Sequence, residues 1–94
     1  MTEDALPLPA LPACPKLSRL FRLQYESVQE AWVLLYPEGM VQLNQSAAEI
    51  LRRCDGRRQL ADIASELETL FQVEGIRPQI DALVQEGVRR GWLS

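Results

Sequence analysis

Hydrophobic and polar positions alternate from Leu17 to Glu26, where Phe21, Leu23 and Tyr25 are interleaved with Arg22, Gln24 and Glu26. A period of two with one polar face predicts a half-buried strand. Ser27 to Gln29 reads as a connection. Ala31 to Tyr36 is apolar at every position, which suits a short strand covered on both faces. Pro37-Glu38-Gly39 then predicts a tight turn, with Pro presetting φ and Gly taking the left-handed position of a three-residue hairpin loop with a bulge. Met40 to Leu43 is the return strand, so three consecutive strands form an antiparallel meander with the third at an edge.

Beyond Asn44 the period lengthens to that of a helix. Ser46-Ala47-Ala48-Glu49 fits a capping box, with Ser46 as N-cap and Glu49 reaching back. Ala47, Ile50 and Leu51 form the buried stripe, and Cys54-Asp55-Gly56 ends the helix. A second helix over about Leu60 to Gln72 buries Leu60, Ile63, Ala64, Leu67, Leu70 and Phe71, and Gly75 breaks it. A third opens with Pro78 in its first turn, lines one side with Ile80, Leu83, Val84, Gly87 and Val88, and stops at Gly91. Trp92 and Leu93 close the chain against the core. The fold class is therefore α+β, a three-stranded antiparallel meander followed by three helices. The helix–turn–helix spacing of the last two resembles a winged-helix domain.

Residues 1–15 hold Pro7, Pro9, Pro12 and Pro15 among Ala and Leu, a density that excludes helix and central strand. They read as an extended, mobile arm, and residues 16–94 as the folded domain. The 94 residues make one small domain. A formal net charge of −3 argues against nucleic acid, which calls for a basic footprint. Histidine is absent, which removes the usual general base and metal ligand. Cys14 and Cys54 form no CxxC pair, so a zinc site has no support, and two free thiols in a reducing compartment are expected. No catalytic constellation is present, and the chain reads as a non-enzyme without cofactor or metal. With neither a basic leader at its start nor an apolar run of membrane length, it is expected in the cytoplasm, off the membrane.

Three features stand out as candidate sites, each with two readings. Met40-Val41-Gln42-Leu43 carries no charge or proline to blunt an edge strand. It is either protected by its shortness or open to a partner peptide that adds as a fourth strand. The stripe of the third helix is either core or a binding groove. Gly87, costly inside a helix by ~1 kcal/mol, would admit a close backbone or simply a neighbouring helix. Arg52, Arg53, Arg57 and Arg58 bracket the end of the first helix, as a solvated cap favoured by the helix dipole or as a docking patch for an acidic partner. Three helices cover one face of a three-stranded sheet. The other face calls for the arm, a second copy of the chain in a homodimer, or another protein.

"LLYPEG" at Leu34–Gly39, "LN" at Leu43-Asn44, "SAAEIL" at Ser46–Leu51, "CDG" at Cys54–Gly56 and "GWL" at Gly91–Leu93 closely resemble the PqqD family of pyrroloquinoline quinone biosynthesis. The likeness runs in order from about Leu17 to Leu93. It departs at Gln59, where a Thr-like helix cap is common in relatives. The resemblance implies a winged-helix-like peptide chaperone and recognition element. Such a protein binds the ribosomally made precursor PqqA and presents it to the radical SAM enzyme PqqE, which crosslinks a Glu to a Tyr. It also implies peptide contacts at Met40, Val41, Gln42 and Leu43, and on the facing helix at Gln79, Ile80, Leu83, Val84 and Gly87. The competing reading is a winged-helix DNA-binding regulator, which the net charge and the third-helix carboxylates Asp81 and Glu86 oppose.

Overall fold

A computed structural model describes residues 11–94, so most of the expected arm lies outside the described residues. The elements are β1 (Arg22–Glu26), β2 (Ala31–Tyr36), β3 (Gly39–Leu43), α1 (Gln45–Arg52), α2 (Leu60–Phe71) and α3 (Arg77–Arg89). The strands form one antiparallel sheet in the order β1-β2-β3. This is the meander followed by three helices that the sequence pattern predicts.

Register decides the faces. Leu23, Leu34 and Val41 lie opposite one another, as do Tyr25, Trp32 and Leu43. Both rows point toward the helices, where Leu34 joins Ile63, Leu67, Ile80 and Val84 in the core. Full burial of each such side chain contributes roughly 1.5–3 kcal/mol. The opposite face carries the rows Arg22–Leu35–Met40 and Gln24–Val33–Gln42. Val33 is fully buried there, while Met40 is 49% exposed. β2 is thus fully covered on both faces at its centre, with Ala31 and Leu35 only half-buried along the outer one.

Several local expectations are corrected. β1 starts at Arg22, because Phe21 N–H turns back to the Ser18 carbonyl (3.0 Å) and residues 16–18 pair elsewhere. Leu17 bridges Leu93, and Lys16 and Ser94 exchange both backbone hydrogen bonds, at 2.9 and 3.0 Å. The β2–β3 loop is two residues, Pro37-Glu38, because Tyr36 pairs with Gly39 and Gly39 opens the strand. The N-cap of α1 is Asn44, whose side chain accepts from Ala47 N–H at 2.8 Å, and not Ser46. Ser and Asn cap equally well, so position decides: Asn44 is the last extended residue before the turn. α2 ends at Phe71 with Gln72 in the left-handed region (φ 55°), three residues before Gly75. At its start, Gln59 N–H donates to the Asp62 carboxylate at 2.9 Å, so that end is satisfied without a Thr cap.

The final turn packs as expected. Trp92 and Leu93 are buried. A Cβ at Gly87 would stand 2.7 Å from Leu93 Cδ1, so any larger residue there would displace the buried Leu93 side chain. Pro15 is buried too, and its carbonyl accepts from Gly56 N–H at 3.0 Å, so the last part of the proline-rich stretch lies against the domain. Among the described residues, no helix is long and apolar enough to cross a membrane.

Candidate functional site

Among the described residues, β3 pairs with β2 alone. Among the described residues, Met40–Leu43 make no backbone hydrogen bond outside that ladder. The two-residue loop makes Tyr36–Gly39 the closing hydrogen-bonded pair, and the bonding then alternates along the strand. Met40 and Gln42 therefore turn their N–H and C=O groups away from β2. Their side chains lie on the outer face, and Val41 and Leu43 point to the core side. One strand thus offers outward backbone groups, uncharged side chains and an apolar flank.

α3 packs principally on α2. Of the residues expected on its groove side, Gln79 is exposed and Leu83 half-buried, whereas Ile80, Val84 and Gly87 are buried. Gln79 and Leu83 form the accessible surface, with the other three as the wall behind it.

A cavity opens near each end of α3. One, of about 320 Å³, is walled by Ile50, Leu67, Phe71, Val73, Ile76 and Ile80, with Ser46 and Gln79 also lining it. The other, of about 390 Å³, lies under the β2–β3 hairpin between Phe21, Tyr36, Val41, Arg90 and Trp92, with Glu38 beside them. The rings of Phe21 and Tyr36 are 5.5 Å apart, and the Arg90 guanidinium lies 5.5 Å from the Trp92 ring. The loop bounding the first cavity is tied down by Glu68, whose carboxylate accepts from Gly75 N–H at 2.9 Å and Ile76 N–H at 3.3 Å.

The four arginines do not form a free basic patch. Glu49, only 9% exposed, lies between Arg52 (3.1 Å) and Arg53 (2.8 Å) rather than reaching back to cap its helix. Arg53 and Arg58 both reach Glu66, at 3.2 and 3.1 Å, and Arg58 also faces Asp55. Arg57 alone of the four makes no ion pair among the described residues. Arg52 also stacks on Trp32, 5.0 Å from the ring centre, with Tyr25 edge-on to the same ring. Asp55 accepts from the N–H groups of Arg57 and Arg58, which hold its carboxyl below its usual value, with the Arg58 charge adding to the effect.

Nothing here is set up as a nucleophile. Both cysteines are free. Burial, and then the neighbouring Asp55 charge, push the Cys54 thiol up to about 12, and it donates to the Ile50 carbonyl. Among the described residues, no group of His, Cys, Asp and Glu could hold a metal.

The cavities, the buried Glu49 and the Arg52–Trp32 stack were beyond sequence reasoning. Periodicity assigns Phe71 to the core and the turn after Gly91 assigns Trp92 to it, and no local signal shows that each also fronts a cavity.

The family model for coenzyme PQQ synthesis protein D (PqqD) matches residues 31–93. A PqqA binding protein of Pseudomonas aeruginosa is 47% identical over 87 residues, covering 92% of this chain and 95% of its own length. One from Methylococcus capsulatus is 41% identical over 78 residues, covering 83% and 84%. Among solved structures, the PqqD truncation of Methylobacterium extorquens PqqCD superposes with a TM-score of 0.69 at 26% identity, covering 90% of this chain and 95% of that one. That protein is described as a functional, stand-alone recognition element for ribosomally synthesised, post-translationally modified peptides.

Proposed function

The chain belongs to the PqqD family, and from that premise we propose that it binds the precursor peptide PqqA as a fourth strand on β3 and presents it to the radical SAM enzyme PqqE in the cytoplasm. The observation that carries this reading is the β3 edge. Among the described residues its outward N–H and C=O groups are unpaired, its side chains are uncharged, and Gln79 and Leu83 stand accessible on α3. Main-chain hydrogen bonds to such an edge give affinity, and the flanking pockets give specificity. The relatives' description as PqqA binding proteins supports the choice of peptide.

The chain's own contribution is binding. Its one buried thiol is held neutral, and crosslinking chemistry belongs to the enzyme. Ordering the peptide on a small domain that also docks on the enzyme raises the effective concentration of the reacting Glu and Tyr. The arginine cluster is a poor candidate for that docking, because its charges are balanced internally except at Arg57. The outer sheet face, with Leu35 and Met40, is the better one, whether for PqqE or for a second copy of the chain.

The test is a titration of isotope-labelled protein with synthetic PqqA, followed by backbone amide shifts. Shifts concentrated in Met40–Asn44 and in α3 are expected. Saturation without shifts at β3 would overturn strand addition.

A further inference from the structure

Resting on that reading, we infer that the groove selects the peptide through two side chains, an aliphatic one and an aromatic one, about four residues apart on the same face of the bound strand. The two cavities differ in chemistry. The one at the start of α3 is walled mainly by the aliphatic residues Ile50, Leu67, Val73, Ile76 and Ile80, with the single ring of Phe71 among them and its polar side chains confined to Ser46 and Gln79. Such a wall rewards an aliphatic side chain and offers no buried partner to a polar one. The one under the hairpin is framed by Phe21, Tyr36 and Trp92, with Val41, Glu38 and Arg90 completing it, and its three rings favour edge and offset contacts with another ring.

Their spacing is set by α3. From Ile80 at one cavity to Arg90 at the other the helix advances ~15 Å, at about 1.5 Å per residue. An extended chain covers ~15 Å in roughly four to five residues. Side chains alternate between faces, so two that enter the same groove are separated by an even number, which selects four. Val41 of β3 lines the hairpin cavity and Ser46, in the first turn of α1 beyond the strand's end, lines the other, so a peptide that pairs with β3 and continues past Leu43 runs between the same limits. A peptide strand on the β3 edge therefore passes both mouths.

The experiment is an alanine scan of synthetic PqqA against the full chain, by calorimetry, repeated with Val73→Lys and Phe21→Leu. Val73 is 42% exposed on the rim of the aliphatic cavity, so a lysine there is compatible with folding. Phe21→Leu keeps apolar volume and removes the ring. Amide spectra of both variants verify the fold. Expected are two peptide positions four apart, one aliphatic and one aromatic, each weakening binding about tenfold or more when replaced. Val73→Lys should abolish the effect of the aliphatic replacement alone, and Phe21→Leu that of the aromatic one, as non-additive pairs. Peptide that still shifts β3 amides while losses spread evenly, or while both variants bind as the parent does, overturns this inference and leaves strand addition standing. Loss of the β3 shifts themselves overturns strand addition.

Discussion

β1 and β3 are both edge strands of one sheet, each paired on a single side. They are of equal length, and among the described residues both present unpaired backbone groups. Side-chain chemistry separates them. On the outer face β1 carries Arg22, Gln24 and Glu26, with the Gln24 amide donating to Glu26 at 2.8 Å. β3 carries Met40 and Gln42 there. Charge along an edge repels a further strand, so β1 is guarded and β3 is not. β3 is also the edge that leads directly into α1 through Asn44, close to the aliphatic cavity. An open edge beside apolar cavities is a binding site in a way that a charged edge is not.

The largest expected effect comes from breaking the open edge itself. Gln42→Pro removes an outward N–H that the β2 ladder does not use, a position where an edge strand tolerates proline. PqqA binding should fall about tenfold or more, since each lost hydrogen bond is worth roughly 0.5–1.5 kcal/mol and the ring obstructs its neighbours. Calorimetry reads the loss, and unchanged affinity would mean that the peptide does not pair there.

Next comes removing the guard. The double variant Arg22→Thr, Glu26→Thr should make β1 resemble β3 and produce concentration-dependent self-association in sedimentation runs, with PqqA affinity unchanged. If the variant stays as monodisperse as the parent, charge is not what protects β1.

The junction between β3 and α1 gives a smaller effect. Asn44→Ala should cost about 1 kcal/mol in urea denaturation, the usual loss for an N-cap. Ser46→Ala should stay within about 0.5 kcal/mol, because its side chain caps nothing. A larger loss at Ser46 would restore the capping box that the sequence suggests.

The smallest effect lies away from both edges. The Asp55 carboxyl has a lowered folded pKa. Its contribution to stability is in place above the unfolded value and is lost as pH falls through the folded one. Asp55→Asn should flatten the acid limb of stability against pH while leaving peptide binding at neutral pH untouched. An unchanged acid limb would remove Asp55 from the account.

How much of this is legible in the sequence depends on how local each signal is. Ala31–Tyr36 appears with the expected bounds because an unbroken apolar run between Glu30 and Pro37 marks both ends of the strand. The open character of Met40–Leu43 is equally local, being the absence of charge and proline. The cap at Asn44 was missed because "SAAE" satisfies a local rule whose geometry the tighter two-residue hairpin shifts upstream. Gly87 reads in the sequence as a place for another backbone or a neighbouring helix, whereas the atoms against it are those of the Leu93 side chain, brought there by the chain's reversal after Gly91. The arginine cluster looked like free charge because Glu66, which neutralises Arg53 and Arg58, comes from a different helix. Cavities are the least legible feature, since they are made by elements far apart in the chain.

Lys16 and Ser94 hold each other by a reciprocal pair of backbone hydrogen bonds. A polypeptide that enters the domain at one and leaves at the other does so through a single point on its surface. The folded domain thus holds Lys16 and Ser94 side by side, with Leu11 and Pro15 packed against it just before that point. Spliced into a loop of a larger protein, it asks its host to span only the width of one antiparallel strand pair, about 5 Å. Its open edge and groove would then stay free to work in whatever assembly receives it.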